Sequence, residues 1–471
     1  MMPQRGHHPA VDSIPLFPPL SAKKEIQVRV ARFLTVLQFL FLGSVGAENW
    51  PQWRGPYGNG VSPAKSVPTT WGSEENITWK VALGGQAVSS PILWDDRVIV
   101  SSQVGRGVLR QGNHPTLVRG EGAADEKSLR ASRDEPEGGT THFLVEAFDR
   151  SDGKRLWEYR LEAEGDFPAV HRKTNMANAS PVTDGERVYA WFATGQLVVL
   201  DMNGELLWQR HIAREYAPFD IPWGHSSSPT LYENTIILLC DHTPASYLVA
   251  LDKKSGKEKW KTDRGKGLRG YSTPFVARGK NHDELIVNSS EGVDAYDPAT
   301  GKHLWYITES NSFPVPSPSF DDGIIYMSRG HRSGPYMALR LGGKGDISKS
   351  HIKWRVETGA PYVSSVVYYD GLVYMANGAG IVRCVDGETG ERVWQERIGG
   401  IFSASPVAAD GKVYLLAEDG EMVVLEAGRE PKVLSRNRID ERTVASPAIS
   451  NGQIFLRTDE HLVCVGLEPT S

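Results

Sequence analysis

The sequence predicts an all-β chain, an eight-bladed β-propeller of four-stranded antiparallel blades, and three observations carry that reading. A Ser-Pro phrase followed by an apolar run recurs at blade-sized spacing. A tryptophan occupies one fixed slot in seven of the copies. The last copy is one strand short, and the N-terminal part of the chain holds a spare strand.

The phrase stands at Ser90-Pro91, Ser180-Pro181, Ser228-Pro229, Thr273-Pro274, Ser317-Pro318, Ser405-Pro406 and Ser446-Pro447. An eighth copy, Ser365-Val366, keeps the serine and loses the proline. From the second copy onward the intervals are 48, 45, 44, 48, 40 and 41 residues, the period of a four-stranded blade. Each copy continues into an apolar run and a turn such as Asp184-Gly185, Asp322-Gly323, Asp370-Gly371, Asp410-Gly411 or Asn451-Gly452. Those dipeptides supply the positive φ angles of tight hairpins. A second β-rich run follows, and a third that ends on an acidic residue.

A turn then leads to the tryptophan slot. Trp79, Trp157, Trp208, Trp260, Trp305, Trp354 and Trp394 fill it, seven of the 13 tryptophans in the chain. Rings repeated once per outer strand read as inter-sheet packing, each burying roughly 150–250 Å². The copy after Pro406 places Leu434 in the slot as a smaller substitute.

The last copy ends at Cys464-Val465-Gly466 without its fourth strand, which Ile77-Thr78-Trp79-Lys80-Val81 can supply. Pairing the two ends closes the ring and leaves no open edge. The propeller is therefore expected over residues 77–467, with an extended segment at 48–76.

Residues 1–47 read as an N-terminal extension with a secretory signal peptide. Arg29 and Arg32 precede an apolar run from Phe33 to Leu42, and small residues end at Val45-Gly46-Ala47. The run is short for a membrane anchor, and no cysteine follows it for lipid attachment. A periplasmic or secreted monomer is the expectation. Residues 103–142 form a long polar insertion, expected to be a mobile flap.

Composition narrows the functional classes. The 471 residues are 40% hydrophobic and 23% charged, with a formal net charge of −5. A mildly acidic chain without a basic stripe argues against nucleic acid. Three cysteines, Cys240, Cys384 and Cys464, form no CxxC pair, so neither a zinc site nor a redox motif is indicated. Gly265-Lys266-Gly267-Leu268-Arg269-Gly270 has the GxGxxG spacing, but it leads into another strand rather than a helix.

The closing Ala295-Tyr296-Asp297-Pro298-Ala299-Thr300-Gly301-Lys302-His303-Leu304-Trp305 resembles the repeat Ala-x-Asp-x-x-Thr-Gly-x-x-x-Trp of PQQ-like, quinoprotein-type propellers. Trp50-Pro51-Gln52-Trp53-Arg54-Gly55-Pro56, Trp223-Gly224-His225-Ser226-Ser227-Ser228-Pro229 and Pro361-Tyr362-Val363-Ser364-Ser365 are similar to exported propellers of planctomycete-like bacteria. The resemblance extends to quinone-dependent dehydrogenases and to the propeller lipoprotein of outer-membrane assembly. In the dehydrogenases the family places pyrroloquinoline quinone (PQQ) between a tryptophan and a disulfide of adjacent cysteines, with calcium beside it. This chain has no adjacent cysteines.

Loops that lead into the inner strand share one face with those joining the second and third strands. On that face lie His171, Arg172, Asn175, Trp223, His225, Asp241, His242, Arg269, Tyr271, Arg329, His331, Arg332 and Tyr362. Histidine and arginine among aromatics suit an anionic or sugar-like ligand. Two functions stay open. One is a non-catalytic binding or scaffold propeller that engages an envelope protein or a glycan, with no cofactor. The other is an alcohol or sugar dehydrogenase using PQQ and calcium, with Asp241 as its base. A weaker third is a polysaccharide hydrolase or lyase acting through His225 and Asp241.

Overall fold

A computed structural model describes residues 48–72, 75–105, 140–171 and 173–466. The expected signal peptide, the bulk of the 103–142 insertion and Arg172 lie outside the described residues. The insertion gives up its ends to structure: Val104 pairs with His142, where two long strands of the first blade meet.

Eight antiparallel sheets make up the fold, each with four strands apart from one that gains a fifth. Blades 1 to 8 follow chain order, and the inner strands begin at the eight Ser/Thr positions. Blade 8 closes as expected, for Ile77–Ala82 pairs antiparallel with His461–Val465. Apolar clusters fill the space between blades; one joins Ile99, Phe143 and Val145 of blade 1 to Val188, Ala190 and Val198 of blade 2.

The repeat phrase acquires a mechanical meaning. Each Ser or Thr hydroxyl accepts the backbone N–H of its counterpart in the preceding blade. Ser90 reaches Ser180 at 2.8 Å, Ser180 reaches Ser228 at 3.0 Å and Ser228 reaches Thr273 at 3.0 Å. Thr273 to Ser317, Ser317 to Ser365 and Ser365 to Ser405 follow, each at 2.9 Å. Ser405 donates to Ser446, and Ser446 returns to Ser90, both at 3.0 Å. The eight bonds form a closed ring. Proline is tolerated after the hydroxyl because the inner strand is a sheet edge, where a missing N–H costs no ladder bond.

The tryptophan grammar is a docking device. The closing aspartate caps its own turn, as when Asp252 Oδ1 accepts the N–H groups of Lys254 and Ser255. The turn glycine then lies flat beneath the ring of the preceding blade. A Cβ on Gly153 would come within 2.7 Å of Trp79, and one on Gly256 within 2.8 Å of Trp208. The indole N–H donates to a carbonyl of the same turn: Trp79 to Arg150 at 2.8 Å, Trp157 to Met202 at 2.9 Å and Trp394 to Gly428 at 3.1 Å.

Three blades depart from this pattern, the simplest case being blade 3, where Trp260 covers the Gly301 turn but its buried indole N–H has no acceptor among the described residues. Blade 5 replaces its tight turn with a longer connection, and Gly345–Asp346 of that connection pairs parallel with His303–Thr308 of blade 4. Trp305 therefore donates to Glu284 of its own blade, at 2.8 Å. In blade 7 the slot does not hold Leu434. Its register partner shows this: Val424 faces Ser435, as Ala147 faces Trp157 in blade 1. No tryptophan is called for, because the outer strands of blade 8 come from opposite chain ends and form no turn to dock on. The N-terminal segment fills the gap, with Trp71 buried and its backbone N–H donating to Asn437 Oδ1 at 3.0 Å.

That segment is a strap along the inner strands. Trp50 exchanges backbone bonds with Leu93 of blade 1, and Pro51 accepts from Thr183 of blade 2. Arg54 donates to Ser317 of blade 5 at 3.2 Å, and Ser62 bonds Ala408 and Ile449 of blades 7 and 8. The Arg54 guanidinium is wholly buried and bonded only to carbonyls, and burial pulls its pKa down to about 9.

Candidate functional site

One pocket gathers all eight blades. It is lined by Val88, Asn178, Ser226, Tyr271, Val315, Val363, Ser403 and Val444. Every one of these sits two residues before a ring hydroxyl, so the pocket is the mouth of the central channel. Its volume is about 160 Å³, and His171, Lys173, Thr174, Trp223, Phe313 and Tyr362 complete the wall.

The mouth has two unlike sides. Across blades 2 to 6 runs an arc of rings: His171 and Trp223 stand edge-on at 5.9 Å, and Trp223 and Phe313 at 6.5 Å. Phe313 meets His331 at 5.1 Å, and His331 meets Tyr362 at 5.2 Å. Arg269 lies 5.6 Å over the Phe313 ring, and burial pushes the Tyr362 hydroxyl up to about 12. Trp223 adopts φ +82°, a conformation that costs an L-residue roughly 1–3 kcal/mol and clusters at functional sites. Its carbonyl accepts the His171 N–H at 3.2 Å.

The other side is a polar strap. Lys173 of blade 2 reaches Glu418 of blade 7 at 2.8 Å, both side chains being buried. Ser403 also donates to Glu418, and Arg442 donates to the Lys173 carbonyl at 3.4 Å while pairing with Asp459.

The structure divides the candidate residues. His171, Trp223, Tyr271 and Tyr362 line the mouth, with His331 and Arg269 in ring contact with it. His225, Asp241, His242 and Arg329 lie below, sealed in the core. His225 Nδ1 is 3.1 Å from His242 Nε2 and its Nε2 is 3.1 Å from the Ser227 carbonyl, with Trp191 and Phe219 on its flanks. Burial lowers His225 to about 3 and His242 well below the usual imidazole value.

Asp241 is no free base. Burial raises its carboxyl, Arg264 pulls it back, and the two are locked bidentate at 2.8 and 3.1 Å. Arg329 stitches blade 5 to blade 4 through the carbonyls of Ser289 and Gly292, at 2.8 and 2.9 Å, and burial lowers it to about 10.

Phe313, Lys173 and Glu418 escaped the sequence reading. Phe313 is four residues before a ring serine, so a scan of the residues ahead of each hydroxyl would have found it beside Tyr271. Lys173 and Glu418 are 245 residues apart, and nothing local marks them as partners.

A propeller of these repeats is what known proteins match. Residues 71–218, 141–330 and 347–465 fit the family described as outer membrane protein assembly factor BamB. The chain belongs to the BamB family. A BamB of Yersinia pestis is 23% identical over 66% of this chain and 66% of its own. Tetrathionate hydrolase of Acidithiobacillus ferrooxidans is 26% identical over 58% of this chain and 53% of its own. The matches span between about half and two thirds of these curated relatives' length. Among solved structures, the quinohemoprotein alcohol dehydrogenase of Comamonas testosteroni superposes with TM-score 0.58 at 12% identity, covering 90% of this chain and 82% of that one. The computationally designed Ika8 protein gives TM-score 0.52 at 12% identity, covering 82% and 98%. These two show a shared fold alone. No helix among the described residues is long and apolar enough to cross a membrane.

Proposed function

We propose that this protein is a non-catalytic binding propeller of the cell envelope, whose channel mouth holds an apolar or aromatic side chain of a protein partner. The arc from His171 through Trp223, Phe313 and His331 to Tyr362 carries this reading. Rings around a small apolar pocket are the form of an interface anchor site. Membership of a family described by outer membrane assembly supports an envelope setting and a protein partner.

The charged groups of the polar strap and of the core beneath the mouth are already engaged. Lys173 and Glu418 neutralise each other, Asp241 is held by Arg264, and His225 and His242 are sealed away from any polysaccharide. A quinone with calcium fits these residues poorly. Calcium takes six to eight oxygen ligands, and Glu418 and Asp241 are engaged by cations. The three cysteines are buried and form no disulfide with one another.

The test is a photo-crosslinking residue at Val363 in the mouth, with another at exposed Leu207 on an outer strand as control. An envelope-protein adduct from position 363 that Trp223→Ala abolishes, and that position 207 does not give, supports the reading. No adduct at 363 overturns it. Saturable binding of PQQ with calcium that raises the melting temperature and is lost in Trp223→Ala would put the dehydrogenase in its place.

A further inference from the structure

The larger cavity, about 490 Å³, lies at the other end of the inner strands, between the N-terminal strap and blades 3 to 6. That volume falls within the range of small-molecule sites. We propose that it is a saccharide site, taking one or two rings of a neutral or amine-bearing sugar.

Its walls carry the two things a sugar needs. The C–H faces need aromatic planes, and Trp53, Tyr57, Phe320 and Tyr369 present them. Tyr57 is 62% exposed, an aromatic side chain left at the rim of a cavity. The hydroxyls need fixed polar groups, which Gln52, Asn59 and the carboxylates of Asp321 and Asp370 supply.

The strap is set before any ligand arrives. Asn59 gives its carbonyl to Arg54 at 2.6 Å and its side-chain oxygen to the Val61 N–H at 3.1 Å. Gly58 holds φ +67°, and a Cβ there would stand 3.4 Å from the Phe275 ring. A wall fixed in advance lowers the ordering cost of binding.

The charges select the kind of sugar. Arg278 is the one cation among the lining residues; Asp283 pairs with it at 2.6 Å and Tyr232 lies 5.0 Å beneath it. Asp322 is held by Lys280 at 2.8 Å. Asp321 and Asp370 have no cation within ion-pair distance among the described residues, so acidic sugars are repelled and amino groups are favoured.

The experiment titrates the full chain with glucose, cellobiose, glucosamine and glucuronate, read by calorimetry and by ligand-observed NMR. Expected is saturable binding of cellobiose or glucosamine, at least tenfold tighter than glucuronate. Tyr57→Ala, at an exposed position that leaves the fold intact, should weaken it about tenfold. Asp321→Asn should weaken glucosamine more than cellobiose. Trp223→Ala, at the opposite mouth, should change nothing, which separates this site from the proposed partner site. The inference is overturned if no sugar saturates, if glucuronate binds as tightly as the others, or if Tyr57→Ala binds like the parent chain.

Discussion

Ser446 donates its backbone N–H to Ser90 Oγ at 3.0 Å, across 356 residues of sequence. This bond joins blade 8 to blade 1 and completes the ring of hydroxyls around the channel. The Ile77–Ala82 strand closes the same seam farther from the channel axis, so the ends of the chain are latched twice.

Removing a ring hydroxyl leaves a buried N–H of the previous blade without an acceptor, at a cost of about 1–3 kcal/mol. Ser90→Ala and Ser365→Ala should each lower the unfolding free energy, read from denaturant titration, by that amount. Ser312→Ala, at an exposed loop position, should stay within about 0.5 kcal/mol. Equal effects at all three sites would mean that the ring contributes nothing specific.

Blade 7 gives a test of why a tryptophan is present or absent. Ser435→Trp restores the slot in register but has no turn to dock on, and it displaces the Ser435 bond to the Thr69 carbonyl. It should destabilise the chain. Trp79→Ala, which empties a real dock, should cost about 3–5 kcal/mol. A gain in melting temperature for Ser435→Trp would refute the docking explanation.

The fold was legible because its information is periodic. The hydroxyl at Ser365 survives where the proline does not, and the structure gives the reason, since it accepts the Ser317 N–H in the ring. The slot in blade 7 was misread by one residue because its connection is one residue longer: Val424 faces Ser435, eleven positions on, where Ala147 faces Trp157, ten positions on, and the bulge after Val424 recurs at the same place in other blades. The site was legible only in part. Trp223, Tyr271 and Tyr362 stand beside ring hydroxyls and inherit their position, whereas Asp241 and His225 are polar residues whose burial depends on Arg264, Trp191 and Phe219 from distant segments.

Asp241 serves stability. Asp241→Asn leaves the Arg264 guanidinium buried with its main counter-charge gone, and breaking such a pair costs about 3–5 kcal/mol. The melting temperature should fall steeply, while partner capture by the folded fraction should be unchanged. A stable variant that fails to bind would return Asp241 to the site.

Strain at Trp223 separates function from stability. Trp223→Gly adopts φ +82° at no steric cost, so its melting temperature should match or exceed that of the parent chain. The crosslink from Val363 should disappear. A large loss of stability would make the indole a packing residue and the strain incidental.

The buried histidine pair sets an acid limit on the fold. Unfolded imidazoles titrate near 6.5, while burial holds His225 at about 3 and His242 well below its usual value. Between those values the unfolded chain binds more protons than the folded one. Stability is therefore complete above about pH 6.5 and falls as pH drops toward 3, by about 1.4 kcal/mol per pH unit for each histidine. Carboxylates such as Asp252, held at about 2 chiefly by its Ser255 hydrogen bond, lose their contribution lower down, and the buried Glu146 and Asp241 carboxyls, raised by burial, titrate alike in parent and variant, so the difference in slope between them from pH 6 to 4.5 reports the imidazole. Over that interval the unfolding free energy of His225→Gln should fall less steeply than that of the parent chain, by about one proton's slope. Its lower absolute stability does not affect the comparison, since only the slope is read. Parallel slopes would show that the pair takes up a proton in the folded state, and that the Trp191–Phe219 enclosure admits water.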